Sequence, residues 1–298
     1  MGWKHRELLQ PVVVVANTAD DWDFYGINVS PDVDSTLYHL AQIADDRGWG
    51  IKNDTFNAMQ SLKSLGEEVW FNLGDLDLGH CILRTHFLTQ GLKATQITDI
   101  FRQNMGIRLK IFPMTDDSVQ TIFHSGDNEY HLQEFFVKHR AQIPITSVEY
   151  RGAESARVNP ELKEVIRKAK LIIIGPSNPV SSIGPILFPE MRRIIQKTSV
   201  PKMVISPIIG DKTVSGPAKK YMMELGYDSS PTGIVNYYDD VANVFVFHVT
   251  DRNENLARKY PEKRIFFKNI LFSDKKDLKN LTLWIDEVAE RPNSLELC

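Results

Sequence analysis

Five aspartates, Asp20, Asp21, Asp23, Asp32 and Asp34, fall within fifteen residues. They follow a β-branched run, Val12 to Ala16, and flank Ser30-Pro31. That pair reads as a helix start, with Ser as N-cap, Pro at the first helical position and acids in the first turn. Carboxylates at the end of a strand suit a hard cation such as Mg2+, which takes oxygen ligands and keeps waters for a phosphate partner. The candidate metal set is Asp34 with Asp20 or Asp21, and the spacing does not choose between those two. Asp32 equally reads as a first-turn acid that complements the helix dipole.

A second constellation is Leu171 to Leu187, LIIIGPSNPVSSIGPIL. Leu171 to Ile174 read as a strand covered on both faces, as in a parallel sheet. Gly175 and Pro176 stop it, and Ser177, Asn178, Ser181 and Ser182 place small polar groups at its C-terminal end. Open α/β sheets bind ligands there, often phosphate at a helix N-terminus. A plain turn uses the same residue types, so both readings stay open. Ser206 to Gly210 follows another strand, and Ser215-Gly216-Pro217 opens a helix that could cap or cradle phosphate. Gly74-Asp75-Leu76-Asp77 offers two more acids before a helix, with Asp77 expected as N-cap. Arg84 on that helix could reach a phosphate or a carboxylate. The sequence has no G-x-S-x-G, H-E-x-x-H, C-x-x-C, G-x-x-x-x-G-K-[ST] or G-x-G-x-x-G. Acids plus Ser/Gly/Asn loops suit metal-assisted transfer chemistry on a phosphorylated ligand.

These groups need elements to hold them. Trp3 to Leu9 reads as a helix tail. Helices are expected from Ser30, from Asp54 to a stop at Gly66, over Leu78 to Leu88 and over Ala94 to Met105. Leu109 to Phe112, Gln120 to Phe123 and Tyr130 to Phe136 alternate like antiparallel strands, with a hairpin at His124 to Asn128. Strand–helix alternation then resumes: strands at Leu171, Lys202–Ile205 and Val244–His248, helices near Phe188–Lys197, Gly216–Leu225 and Lys275–Glu290. The expected fold is α/β, a Rossmann-like, doubly wound, mostly parallel sheet with an α+β insertion. The core would comprise residues 1–93 and 149–298, and the insertion 94–148.

Bulk properties narrow the class. The chain has 298 residues, 42% hydrophobic, with a net charge of −3 and acids and bases intermixed, which argues against a nucleic-acid surface. No apolar run approaches the roughly 20 residues that span a bilayer, and no signal peptide is visible. Cys81 and Cys298 form neither a metal spacing nor a disulfide framework, so a reducing cytoplasm is expected.

Taken together, the motifs resemble the 2-phospho-L-lactate transferase family (CofD/FbiA type). The ordered set is Asn17 to Asp21, Ser30 to Thr36, Arg47 to Gly50, Asn53 to Phe56, Gly74 to Leu78, Met114 to Asp117, Gly175 to Pro179 with Ser182 to Ile186, Ser206 to Gly210 and Ser215 to Ala218. It covers nearly the whole chain. The resemblance implies coenzyme F-420 biosynthesis. A phospholactyl or phosphoenolpyruvyl group would move from a guanosine diphosphate donor to the terminal ribityl hydroxyl of the deazaflavin Fo, with Mg2+ as cofactor and GMP released. It implies metal binding and catalysis by Asp20, Asp21 and Asp34. Asn17, Thr18 and Ser30 would contact substrate. Gly175, Ser177, Asn178, Ser206 and Ser215 would lie near the donor. Trp49, Asn53, Thr55, Phe56, Gly74, Asp75 and Asp77 would lie near the deazaflavin. A homodimer is also implied.

Two segments depart from the family pattern. Its opening G-G-T-G loop has no counterpart in Met1-Gly2-Trp3-Lys4, and its G-D-R-D-L-A-T-H segment stands here as Gly74 to Cys81, with Leu76 for Arg and His80-Cys81 for Thr-His. The alternative is a non-catalytic, nucleotide-sugar-binding regulator, whose family shares the double-Asp loop but not the Ser30–Thr36 and Arg47–Phe56 blocks.

Overall fold

β-Branched residues make the first strand, β1 (Val13–Ala16), and its partner β4 (Lys110–Pro113) runs parallel to it, pairing Val13 with Lys110 through Ala16 with Pro113. The structure, a computed structural model, describes residues 12–46, 48–210, 212–213, 216–271 and 275–290. The expected helix tail at Trp3–Leu9, Arg47 and Ser215 lie outside the described residues. The chain is mixed α/β with parallel sheets and helices, and it divides into two compact units. The first extends through Pro144 and includes Val148–Asn159; the second is Ile145–Ser147 with the chain from Pro160 onward. Residues 94–144 fall within the first of these units.

In the first unit, the hairpin β2 (Trp22–Phe24) and β3 (Ile27–Val29) leads into α1 (Pro31–Ala41), then α2 (Asn57–Ser64), α3 (Asp75–Thr89) and α4 (Ala94–Asn104). After β4 come β5 (Gln120–Ser125), β6 (Asn128–His131) and β7 (Ser147–Arg151), one sheet in the order β6-β5-β7. The expected antiparallel strand at Leu109–Phe112 is thus parallel and belongs to a different sheet. The expected strand Tyr130–Phe136 ends at His131, and Glu134–Lys138 is a helical turn. Ala16, Val33, Leu37, Tyr38, Ile97 and Phe101 pack one core. Leu37 is fully buried and Phe101 nearly so, and side chains of this kind contribute about 1.5–3 kcal/mol each. That core clamps α1 and α4 against β1, so the loop after β1 and the first turn of α1 are held together.

In the second unit, α5 (Pro160–Lys168) precedes β8 (Ile172–Ile174), a turn at Pro179–Ile183, the short α6 (Gly184–Ile186) and α7 (Pro189–Lys197). Next come β9 (Lys202–Ile205), a small hairpin of β10 (Ile208–Ile209) and β11 (Lys212–Thr213), α8 (Ala218–Glu224) and α9 (Pro231–Tyr237). β12 (Val244–His248), α10 (Glu254–Lys259), β13 (Arg264–Lys268) and α11 (Lys275–Glu290) complete it. The strands form a parallel sheet, β13-β12-β9-β8. β12 is buried throughout. β8 ends the strand order, and Ile173 is 45% exposed, so the expected two-sided burial of that strand does not hold. Among the described residues, no helix is long and apolar enough to cross a membrane.

Candidate active site

The loop after β1 folds around the Asn17 side chain. Asn17 Oδ1 accepts the Ala19 N–H at 2.9 Å, and its Nδ2 donates to Asp20 Oδ1 and Asp32 Oδ2, both at 3.1 Å. Gln133 Nε2 donates to Asp20 Oδ2 at 3.3 Å. Ser30 was expected as a side-chain N-cap; its hydroxyl instead donates to Asp21 Oδ1 at 2.7 Å and makes no cap bond. Arg84, buried on α3, is ion-paired with Asp34 Oδ1. Asp34 Oδ2 is buried with no hydrogen-bond partner among the described residues.

One guanidinium faces several carboxylates in this buried patch. Burial, then Asp32 and Asp21, pushes the Asp20 carboxyl well above its ordinary range. Burial likewise raises Asp21 to about 8, with the Ser30 hydroxyl and then Arg84 working against it. Asp32 is raised by burial, opposed by its Asn17 hydrogen bond. A carboxyl with a raised folded pKa binds more protons when folded, so stability falls as pH climbs from the unfolded value of about 4 toward the folded one. In EDTA the urea midpoint should fall between pH 6 and pH 9. Asp21→Asn should flatten that slope. A wild-type slope in Asp21→Asn would remove Asp21 as its source.

Asp34 also faces a second group. Its carboxylate, that of Asp77 and the Cys81 thiol lie within 4.8 Å of one another. Tyr38 donates its hydroxyl to Asp77 Oδ1 at 2.5 Å, and burial followed by Asp34 raises Asp77 to about 6. Burial drives the Cys81 thiol strongly upward, so it stays protonated. The orphaned Asp34 oxygen and the Asp77 carboxylate beside it suit a hard divalent cation, a protonated thiol does not favour a soft one, and among the described residues Asp20, Asp21 and Asp34 do not form a set of three whose ligand atoms converge within 4.8 Å.

The segments Asn53–Phe56 and Gly74–Asp77 are tied to each other. Asp54 accepts the N–H groups of Leu76 at 2.8 Å and Asp77 at 3.1 Å, at the start of α3. Asp75 accepts the Thr55 hydroxyl at 2.5 Å and the N–H groups of Asn57 at 2.9 Å and Ala58 at 3.0 Å, at the start of α2. These hydrogen bonds hold the Asp75 carboxyl down at about 2. Asp77 was expected to cap α3, but it lies inside the first turn and Asp54 supplies the carboxylate. The helix expected to begin at Asp54 begins at Asn57 for the same reason. Gly74 fits this approach because a Cβ there would overlap Asp54 Oδ2. Asp54→Ala should destabilise by about 1 kcal/mol through the lost cap; a urea midpoint equal to wild type would refute it. Trp49 is 65% exposed, and Asn53 holds a left-handed backbone, φ 59°.

In the second unit, Asn178 Oδ1 accepts the N–H groups of Val180 at 3.0 Å and Ser181 at 3.3 Å, closing the turn it begins. Ser177 N–H is bonded to Gly175 O at 2.8 Å. Ser206 Oγ donates to Ile208 O at 2.7 Å and accepts its N–H at 3.2 Å. Asn178 Oδ1 and the Ser206 hydroxyl are therefore engaged in shaping their own loops.

The structure thus brings Asn17, Asp20, Asp21, Ser30 and Asp34 together, reaches Asp77 through Asp34, and joins Thr55 to Asp75 in the linked caps. A cleft of about 290 Å³ adjoins the acid loop, with Thr18, Asp21, Trp22, Ser30, Arg84 and Thr115 among its lining residues. Sequence reasoning missed Tyr38, Gln133 and Trp22. Trp22 carried a usable signal, an aromatic between two aspartates of the acidic run. Gln133 carried none, because it meets Asp20 from 113 positions away.

Compared with known proteins, residues 2–283 match the family model described as 2-phospho-L-lactate transferase CofD. A 2-phospho-L-lactate transferase of Methanosarcina mazei is 39% identical over 256 residues, 85% of this chain and 84% of that protein. A phosphoenolpyruvate transferase of Streptomyces coelicolor is 36% identical over 234 residues, 76% of this chain and 73% of that protein. Among solved structures, a UPF0052-family protein of Bacillus halodurans superposes with a TM-score of 0.56 at 15% identity, covering 94% of this chain and 91% of that one. That likeness concerns the fold alone.

Proposed function

We propose, on the premise that this chain belongs to the 2-phospho-L-lactate transferase (CofD) family, that its acid loop is the reaction centre of a Mg2+-dependent transfer in coenzyme F-420 biosynthesis. The chain is a transferase. In our reading, a phospholactyl or phosphoenolpyruvyl group passes from a guanosine diphosphate donor to the terminal ribityl hydroxyl of Fo, and GMP leaves. The protein acts as a cytoplasmic homodimer. The observation that carries the reading is the acid loop itself, with Asp20 and Asp34 buried, Asp21 half-buried, and one Asp34 oxygen left without a partner among the described residues.

Asp34 with Asp20 or Asp21 would hold the cation. Bound there, Mg2+ supplies Lewis-acid stabilisation of charge on the diphosphate. Arg84 fixes the Asp34 carboxylate by pairing with its other oxygen. Ser30 orients Asp21. The Asp of the 20–21 pair that does not hold the cation would orient or deprotonate the acceptor hydroxyl. Attack in line on the transferred phosphorus needs no covalent enzyme intermediate. Family membership favours this reading over the nucleotide-sugar-binding regulator.

The test combines the protein, Mg2+, Fo and each guanosine diphospho donor, and follows GMP and the Fo phosphodiester by mass spectrometry. Product with one donor supports the transferase and names the acid transferred. No product with either donor, together with thermal stabilisation by a UDP-sugar rather than GDP, would overturn it.

A further inference from the structure

A second group of metal-ligating side chains stands on the three-stranded sheet β6-β5-β7, outside the acid loop. His124 of β5 lies directly opposite Glu129 of β6 in the strand register, and directly opposed residues project from the same face. Glu149 joins them from β7, on the other side of β5. One ring nitrogen of His124 and one carboxylate oxygen from each glutamate lie within 4.8 Å of one another. The fold thus puts one donor from each of three neighbouring strands in a single row.

The donor set and its spacing choose the ion. An imidazole with two carboxylates suits a borderline divalent transition ion such as Zn2+ better than Mg2+, which takes oxygen ligands. Zinc bonds at tetrahedral angles put neighbouring donors about 3.4 Å apart. His124 Nε2 and Glu149 Oε2 stand 3.4 Å apart, so two of three corners are already spaced for such an ion. The Glu129 side chain is 56% exposed and can swing the remaining distance. Three protein donors leave the fourth corner to water. Hydrogen bonds from Arg151 hold both glutamate carboxyls below their usual range, so both are ionised, as metal ligands must be.

A cation already acts at this place. Arg151 lies two residues along β7 from Glu149, and its Nη2 donates to Glu129 Oε2 at 2.8 Å and to Glu149 Oε2 at 2.9 Å. The guanidinium thus bridges the same two carboxylates that would ligate an ion. Ion pairs as exposed as these hold weakly, and a divalent ion carries twice the charge. We propose that His124, Glu129 and Glu149 bind a divalent transition ion, with Arg151 as the resident cation that the ion displaces. The ion ties β6 and β7 to β5 at one point, so its binding stabilises the sheet by mass action. The site is independent of the transferase reading.

The experiment titrates the full-length protein with Co2+, a spectroscopic stand-in for Zn2+, in excess Mg2+. Bound Co2+ is counted by equilibrium dialysis and followed by its visible absorption. Wild type should bind one more Co2+ than His124→Asn or Glu129→Gln, and Co2+ should raise the melting temperature of wild type more than that of either variant. Arg151→Ala should bind that ion about tenfold more tightly, because two exposed ion pairs no longer compete for the carboxylates. Glu129 is the more exposed of the two ligands varied, so its variant carries the count if His124→Asn does not fold. Equal Co2+ counts in wild type and either folded variant would overturn the proposal. So would an Arg151→Ala protein that binds the ion no more tightly than wild type.

Discussion

Asp34→Asn should lower turnover by about a hundredfold or more, the scale reached when one charge-stabilising group is removed from a reaction centre. It should also destabilise the protein. Asp34 pairs with Arg84 inside the first unit, and a buried guanidinium deprived of its counter-charge costs about 3–5 kcal/mol. The asparagine keeps the shape and one acceptor oxygen, so the lower end of that range is expected. The buried pair makes a loss of activity and a loss of stability both expected. Steady-state rates at saturating substrate, taken well below the variant's melting point, separate the two effects. Wild-type turnover in a folded Asp34→Asn would end the assignment of Asp34 to the reaction centre. Raising Mg2+ should restore part of the stability of wild type but less of the variant's.

Gly152→Ala should destabilise by about 3 kcal/mol, combining a left-handed backbone with an overpacked contact. Gly152 follows β7 with φ 89°, and a Cβ there would overlap the Ser118 backbone carbonyl. Backbone cannot swing aside as a flexible side chain can. Ser118 and Val119 line the cleft, so the strain should reach binding as well as folding. The measurements are the urea midpoint at unchanged m-value and the affinity for Fo. A midpoint within about 0.5 kcal/mol of wild type would show that the Ser118 segment yields easily.

The acid loop was legible because its signals are local. Five aspartates after a β-branched run and before Ser30-Pro31 need no distant partner to be noticed. The helix starts were legible in residue type but not in pairing. Asp54 reads as the start of the helix beside it and Asp77 as the cap of the next, yet Asp54 serves the start of α3 and Asp75 the start of α2. Strand direction was illegible at Lys110–Pro113, since four residues do not reveal that their partner is β1. Ile173 read as buried because its neighbours are apolar, whereas its exposure follows from the position of β8 at one end of the strand order. α9 and β13 were missed: Pro231–Tyr237 is short with a weak apolar period, and Arg264–Lys268 has charged ends. The Gln133 contact to Asp20 exists only once the chain has folded.

The exchanged caps of α2 and α3 make the two helix starts mutually dependent. Opening the contact between residues 54–58 and 74–77 releases both carboxylates at once, so neither first turn can fray while the other stays whole. The amides of Asn57 and Ala58 and those of Leu76 and Asp77 should therefore exchange hydrogen through a single shared opening event, with a common dependence on denaturant. Two helices of 8 and 15 residues would then behave, at their beginnings, as one cooperative unit.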